Sequence, residues 1–169
     1  MLVIKVLIYT SIFLVSATIG VLISKKYVNR LKELMEFKNA LNVFKTKIKF
    51  TYSPIPEVFT EISRLTSANI SNVFEKASSN MSLQTAGNAW VNALNSERLN
   101  IYEEDKEVLK NLSKLLGKTD VDGQVAQIEL TSSFLDEQIL KAKDEKSKNE
   151  KMSKSLGMIF GIAIVIILM

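Results

Sequence analysis

The last fifty residues, 120–169, constrain the fold more than any other part of the chain. In their first half, apolar positions recur at intervals of four, three, seven, four and three, which places them along one side of a helix. These positions are Val121, Val125, Ile128, Leu135, Ile139 and Ala142. From Leu156 to Met169 no polar side chain occurs. Together these two patterns predict one helix that packs against protein in its first half and enters lipid in its second half. The chain is therefore expected to hold a water-facing domain attached to a membrane.

The N-terminal stretch is the second apolar segment, and Lys5 is the one charged residue between Leu2 and Ile23. Nineteen residues from Val6 to Ser24 form about 28 Å of helix, close to the roughly 30 Å thickness of the hydrocarbon layer. We therefore predict a transmembrane helix over residues 1–24. A cleaved signal peptide is the alternative, because residues 16–18 are small, although the apolar run continues past them.

The C-terminal apolar run is shorter, fourteen residues or about 21 Å of helix. It spans a bilayer if the bilayer thins, or if Met152 to Ser155 enter it while the Lys154 side chain reaches back to the interface. The sequence predicts a transmembrane helix over residues 155–169 and a single water-facing domain over residues 25–154.

Basic residues flank both apolar segments on the side of the central domain. Those after the first segment are Lys25, Lys26, Arg30, Lys32 and Lys38, and those before the second are Lys141, Lys143, Lys146, Lys148, Lys151 and Lys154. Only Lys5 lies at the far end. Because loops rich in Lys and Arg stay in the cytoplasm, we predict a cytoplasmic central domain with both termini outside.

Composition excludes several classes of site. The net charge is +4, but acids four residues before lysines, as in Asp144 with Lys148 and Glu150 with Lys154, indicate a self-paired, solvated surface. We therefore predict no nucleic-acid partner. Cysteine and histidine are absent, which excludes disulfides, cysteine or histidine zinc sites and a histidine base. The sequence predicts no cofactor, no metal and no enzymatic activity.

The region between the membrane segments is predicted to be all-α, a helical bundle of about six helices. After the first segment, apolar residues from Val28 to Ile48 keep a helical period, with Glu33 and Glu36 off that side. Ser53 is the expected N-cap of the next helix, Trp90 falls on an apolar side, and Thr119 or Asp120 is expected to start the last helix. No alternation typical of strands occurs.

Two groups of residues are candidates for contacts. Small residues four apart, Ser16 with Gly20 and Gly157 with Gly161, allow close packing of membrane helices. An acidic cluster either complements the dipole of a helix start or forms a docking surface for a partner. Its members are Glu103, Glu104, Asp105 and Glu107.

Several short stretches of the chain match the pattern of one family. They are Leu116-Gly117 with Asp120 and Gln124, Lys148 to Met152, Lys154 to Gly157, Leu168-Met169, Tyr52 to Ile55, and Ala89-Trp90. On these stretches the chain resembles the stage III sporulation protein AB family. The resemblance covers the whole chain, and its specific part is the C-terminal block. A second proline, Pro56, departs from the family pattern, so details of that turn are not transferred.

The resemblance implies a membrane component of the secretion-like channel that endospore-forming bacteria build between mother cell and forespore. The family is similar to the platform proteins of type II secretion and type IV pilus machines. It implies a scaffold in the cell membrane on the mother-cell side, facing the forespore. The implied partners are a secretion-type ATPase of the same operon, other stage III sporulation membrane proteins, the lipid bilayer and a possible second copy of the chain.

Two other classes of function remain open from the residues. A membrane-anchored hydrolase could use the carboxylate pairs Glu57 with Glu61 or Asp120 with Asp122, but neither pair lies near a nucleophile motif or a glycine-rich phosphate loop. A generic membrane-tethered helical scaffold or signalling module, unrelated to secretion, is the alternative to the channel component.

Overall fold

The computed structural model describes residues 2–168, and the side chains of residues 7–153 and 155–166. Within the described residues the chain forms six α-helices and no β-strand, which confirms the all-α prediction. The helices are α1 (Leu2–Thr46), α2 (Ile55–Leu65), α3 (Ala68–Asn80), α4 (Ala86–Ser96), α5 (Glu103–Lys110) and α6 (Val121–Leu168). A π-helical turn, Lys47–Thr51, follows α1, and a 3-10 turn, Asn111–Lys114, follows α5.

The chain divides into two compact units. One unit, the helix pair, combines Met1–Leu31 with Lys141–Met169. The other unit, the bundle, is Lys32–Leu140. Because α1 and α6 each contribute residues to both units, the bundle is connected to the helix pair at both of its ends.

An aromatic cluster forms the centre of the bundle. The ring centroids of Phe44 and Phe59 are 5.1 Å apart, and those of Phe59 and Phe74 are 5.0 Å apart, both edge to face. Trp90 lies 5.2 Å from Phe74 and donates its indole N–H to the backbone oxygen of Leu109 at 2.8 Å. All of these side chains are fully buried. The helical spacing that placed Trp90 in the core is therefore confirmed, and edge-to-face rings stabilise this packing.

The start of α6 follows the sequence prediction. The Asp120 carboxylate accepts a hydrogen bond from the backbone N–H of Gly123 at 2.9 Å, as an N-cap residue does. The start of α2 does not follow it, because Ser53 was the expected cap and the helix begins at Ile55 after an extended Pro54. Tyr52 adopts a left-handed conformation, φ 50°, which turns the chain before the prolines.

Two glutamates of α1 accept hydrogen bonds from other parts of the bundle. Glu33 accepts hydrogen bonds from the backbone N–H of Asn100 at 2.7 Å and from the Asn69 side chain at 3.1 Å. Glu36 accepts from both the backbone N–H and the hydroxyl of Ser67, just before α3. The prediction that Glu33 lies off the buried side is wrong, since it is only 5% exposed. A carboxylate that is removed from water is costly unless hydrogen-bond donors surround it. The donors to Glu33 and Glu36 come from distant parts of the chain.

Candidate functional site

The N-terminal part of α1 is suited to a bilayer. Within the described residues, one helix is long and apolar enough to cross a membrane, with a window of mean hydropathy 2.0 near the N-terminus. Exposed apolar side chains cover this part, including Leu7, Leu14 and Leu22. Lys5, the expected outer flank, lies outside the described side chains.

The second predicted membrane segment, 155–169, stays a prediction. Met169 lies outside the described residues, as do the side chains of residues 167 and 168 and of Lys154, whose reach to the interface was expected. The described apolar residues of this segment are exposed to a similar extent as those of α1. Ile159, Phe160 and Ile162 are all more than half exposed. Side chains this apolar are costly in water and favourable in lipid.

Gly20 and Gly157 bring the two long helices into close contact. A Cβ added to Gly157 would lie 2.9 Å from the Cα of Gly20 and 2.9 Å from the backbone oxygen of Ser16. A Cβ added to Gly20 would lie 2.6 Å from the backbone oxygen of Ser153. All three atoms belong to backbone, which cannot rotate away as a side chain can. The approach of α1 to α6 at this level therefore requires glycine on both sides.

Ser16 and Gly161 extend this contact. The Ser16 hydroxyl donates a hydrogen bond to the backbone oxygen of Gly157 at 2.7 Å. A Cβ added to Gly161 would lie 3.0 Å from the ring of Phe13 and 3.3 Å from the Cβ of Ser16. The structure thus brings all four predicted packing residues together within one chain. Small residues and an interhelical hydroxyl bond are the contacts by which helices associate in lipid.

An ion pair with one buried partner joins the same two helices in their polar part. Arg30, which is 1% exposed, lies 2.9 Å from the Glu145 carboxylate. Ser24, two turns earlier on α1, is equally buried at 1%. Arg30 appears in the sequence only as one of several basic flanking residues, and no local pattern distinguishes it, because its acidic partner is 115 positions away.

The acidic cluster divides into one buried and three exposed residues. Asp105 is fully buried, and its carboxylate accepts the backbone N–H of Tyr102 at 2.8 Å in a capping box at the start of α5. Asp105 therefore has a structural role at the helix start. Glu104 accepts a hydrogen bond from the Gln138 side chain at 3.0 Å, and Glu103 and Glu107 extend into solvent.

Lys110 faces two of the exposed members of this cluster, Glu103 and Glu107. Its ammonium lies 2.7 Å from Glu107 and 3.3 Å from Glu103. The hydrogen bond to the Glu107 carboxylate raises the pKa of Lys110 above its ordinary value, and the one to Glu103 adds to this effect. Lys106 lies near the same carboxylates, with its ammonium 3.8 Å from Glu103. A partner that docks here meets carboxylates that these two lysines already partly neutralise.

The carboxylate pairs considered for hydrolysis have other contacts. Glu61 forms an ion pair with Lys47 at 2.7 Å, and Asp120 caps α6. Glu57 and Asp122 are exposed at the first turns of α2 and α6. Within the part of the chain that the structure describes, no group of three or more acidic side chains is arranged to hold a metal ion.

Comparisons with known proteins agree with each other. A sequence model of the family described as Stage III sporulation protein AB matches residues 5–169. The Stage III sporulation protein AB of Bacillus subtilis (strain 168) is 27% identical over 165 residues, which cover 94% of this chain and 96% of that protein. A solved Stage III sporulation protein AB has the same fold, with a TM-score of 0.67 at 21% identity over 71% of this chain and 98% of the solved one. The chain belongs to the Stage III sporulation protein AB family.

Proposed function

We propose that this chain is a non-enzymatic membrane component of the channel between mother cell and forespore, acting as a platform between a secretion-type ATPase and the membrane complex. A role in sporulation follows from the family. One observation carries the more specific proposal. Both ends of the bundle continue through α1 and α6 into a helix pair that Gly20 and Gly157 close with backbone contacts.

Membrane attachment of the helix pair is the first part of the proposal. The apolar ends of α1 and α6 span the membrane, and the bundle lies in the mother-cell cytoplasm with both chain termini outside. The apolar window near the N-terminus of α1 and the exposed apolar residues of α6 support insertion. The basic residues on the bundle side of both segments support this orientation.

Partner binding is the second part of the proposal. The bundle contacts the secretion-type ATPase of the same operon, and the helix pair contacts other stage III sporulation membrane proteins, as in the platform proteins that the family resembles. The small residues at 16, 20, 157 and 161 contact each other within one chain, so they support the fold of the helix pair more directly than self-association. The exposed carboxylates of Glu103, Glu104 and Glu107 support an acidic docking surface on α5.

A labelling experiment tests the orientation, and it uses the absence of cysteine from the chain. One variant carries Ser79→Cys, at an exposed position of α3, and another carries a cysteine added after Met169. A thiol reagent that does not cross membranes is applied to intact sporulating cells. We expect the terminal cysteine alone to react. Reaction of the cysteine at position 79 would place the bundle outside and would exclude contact with a cytoplasmic ATPase.

A second experiment tests the docking surface. The variant E103Q/E104Q/E107Q removes three exposed charges from α5 without altering the Asp105 cap. Its matched control, E57Q/E75Q/E137Q, removes three exposed charges elsewhere in the bundle. We expect the α5 variant, and not the control, to lose several-fold in the amount of the operon's ATPase that co-purifies with the full chain. Equal recovery with both variants would exclude this surface.

A further inference from the structure

Positive charge is concentrated in the polar part of the helix pair. Residues 25–31 and 141–154 hold nine basic and three acidic residues, a net charge of +6. The bundle, residues 32–140, holds twelve basic and fifteen acidic residues, a net charge of −3. The excess of positive charge therefore comes from the helix pair. We call residues 25–31 and 141–154 the basic collar.

Four lysines of the basic collar are available to a ligand. Lys25, Lys143, Lys148 and Lys151 are exposed, and within the described residues none of the four forms an ion pair. The sequence indicated that Asp144 would neutralise Lys148 four residues later, but no such pair forms. The expectation of a self-paired surface is therefore wrong at Lys148.

The contacts inside the helix pair place lysines of α1 and of α6 at the same height along the helix axes. Gly20 meets Gly157, and ten residues further along α1 Arg30 pairs with Glu145. Because the two helices are antiparallel, the residues between these contacts face each other in order, and Lys25 of α1 comes level with about residue 151 of α6. The buried Arg30 also pairs with Glu145, one of the three acids of the collar.

From this arrangement we infer that the basic collar binds the headgroups of anionic phospholipids. The inference rests on the proposed insertion of the apolar ends of α1 and α6. Lys25 follows directly after the first apolar run, and Lys151 lies five residues, or about 8 Å, before Leu156. That distance corresponds to the headgroup layer, roughly 5–8 Å on each side of the hydrocarbon. Lysines at this depth attract anionic lipids.

The distribution of the lysines favours lipid over nucleic acid. At about 100° per residue, Lys143, Lys148 and Lys151 spread over roughly 140° of the outer side of α6, and Lys25 adds charge from α1. Headgroups surround a spanning helix pair, so they can reach lysines on several sides at once. A duplex approaches from one side only, and the net negative bundle would repel its phosphates.

The test uses the full chain in vesicles. A fluorophore is attached to Ser147→Cys, an exposed position within the collar. Energy transfer is compared between phosphatidylcholine vesicles that contain headgroup-labelled phosphatidylglycerol and vesicles that contain headgroup-labelled phosphatidylcholine. We expect several-fold enrichment of phosphatidylglycerol around the chain, decreasing as salt is added.

The variant K25Q/K148Q/K151Q should lose most of this enrichment. The control K49Q/K114Q/K118Q, with the same charge change on exposed lysines of the bundle, should keep it.

Other outcomes separate this inference from membrane attachment. If the chain resists an alkaline wash of the vesicles but shows equal transfer to both lipids, it is anchored and the collar does not select anionic lipid. Release of the chain by the wash would overturn both the anchor and the collar. Equal losses in the two triple variants would show an effect of net charge alone. If a DNA duplex displaces the labelled phosphatidylglycerol at the same salt concentration, the collar is a nucleic-acid site and the inference fails.

Discussion

At the scale of single residues, Trp90 has the largest buried side chain of the bundle. It combines ring contacts with Phe59 and Phe74 and a hydrogen bond to the Leu109 carbonyl. Trp90→Phe removes this buried hydrogen bond and leaves a cavity. We expect a loss of about 2–4 kcal/mol in the free energy of unfolding. Urea unfolding of the full chain in detergent, followed by circular dichroism, measures it.

Leu83→Ala is the control for this variant, because Leu83 is 87% exposed in the α3–α4 connection. We expect it to change the free energy of unfolding by less than about 0.5 kcal/mol. Similar values for the two variants would contradict the central position of Trp90 in the core.

Asp105 separates a structural role from a docking role within the acidic cluster. Asp105→Ala removes the acceptor of the Tyr102 N–H, and we expect a loss of about 1–2 kcal/mol in stability. Hydrogen exchange should accelerate at the start of α5. Glu107→Ala, at the exposed end of the same helix, should change stability little. If Asp105→Ala leaves exchange unchanged but weakens partner binding, Asp105 belongs to the docking surface after all.

Local patterns predicted some of these residues and missed others for a physical reason. The core position of Trp90 and the cap at Asp120 follow from neighbours within one or two helical turns. Glu33 was placed outside the core because its donors at Asn69 and Asn100 lie 36 and 67 positions away. A single sequence contains no signal for such a distant pairing.

At the scale of elements, α1 and α6 come into close contact at Gly20 and Gly157. Gly157→Ala places a methyl group 2.9 Å from backbone atoms of α1, so the helices must separate. We expect spin labels at Leu22→Cys and Ser155→Cys, both exposed positions, to move apart by about 1 Å or more. Electron–electron dipolar distances in vesicles measure the change.

Met158→Ala is the matched control on α6, next to Gly157 in sequence and exposed. It should leave the distance between the labels unchanged. An unchanged distance in Gly157→Ala as well would mean that the helices do not pack through the glycines in the membrane.

The elements themselves were largely predictable, whereas their pairing was not. Apolar periodicity indicated each helix of the bundle, because burial on one side selects that period. Small residues at 16, 20, 157 and 161 indicated close packing but not which residue meets which. That register depends on the antiparallel arrangement of α1 and α6, which brings positions more than 130 residues apart together.

At the scale of the whole molecule, the core residues of the bundle lie within residues 32–140. The aromatic cluster, the capping box of α5 and the bonds of Glu33 and Glu36 have both partners inside this range. A unit with its own core and satisfied polar groups is able to fold alone. The helix pair, by contrast, exposes many apolar side chains.

The fragment 32–140 should therefore fold without the helix pair. We expect a soluble helical protein that unfolds cooperatively, with Trp90 shielded from water, because Phe37, Leu41 and Phe44 remain to complete its core. Circular dichroism and tryptophan fluorescence during urea titration measure this. The shorter fragment 47–140 lacks α1 and those three side chains, so we expect it to unfold without a cooperative transition. If both fragments unfold cooperatively, the α1 residues do not complete the core. If neither folds, the bundle depends on the helix pair for its stability.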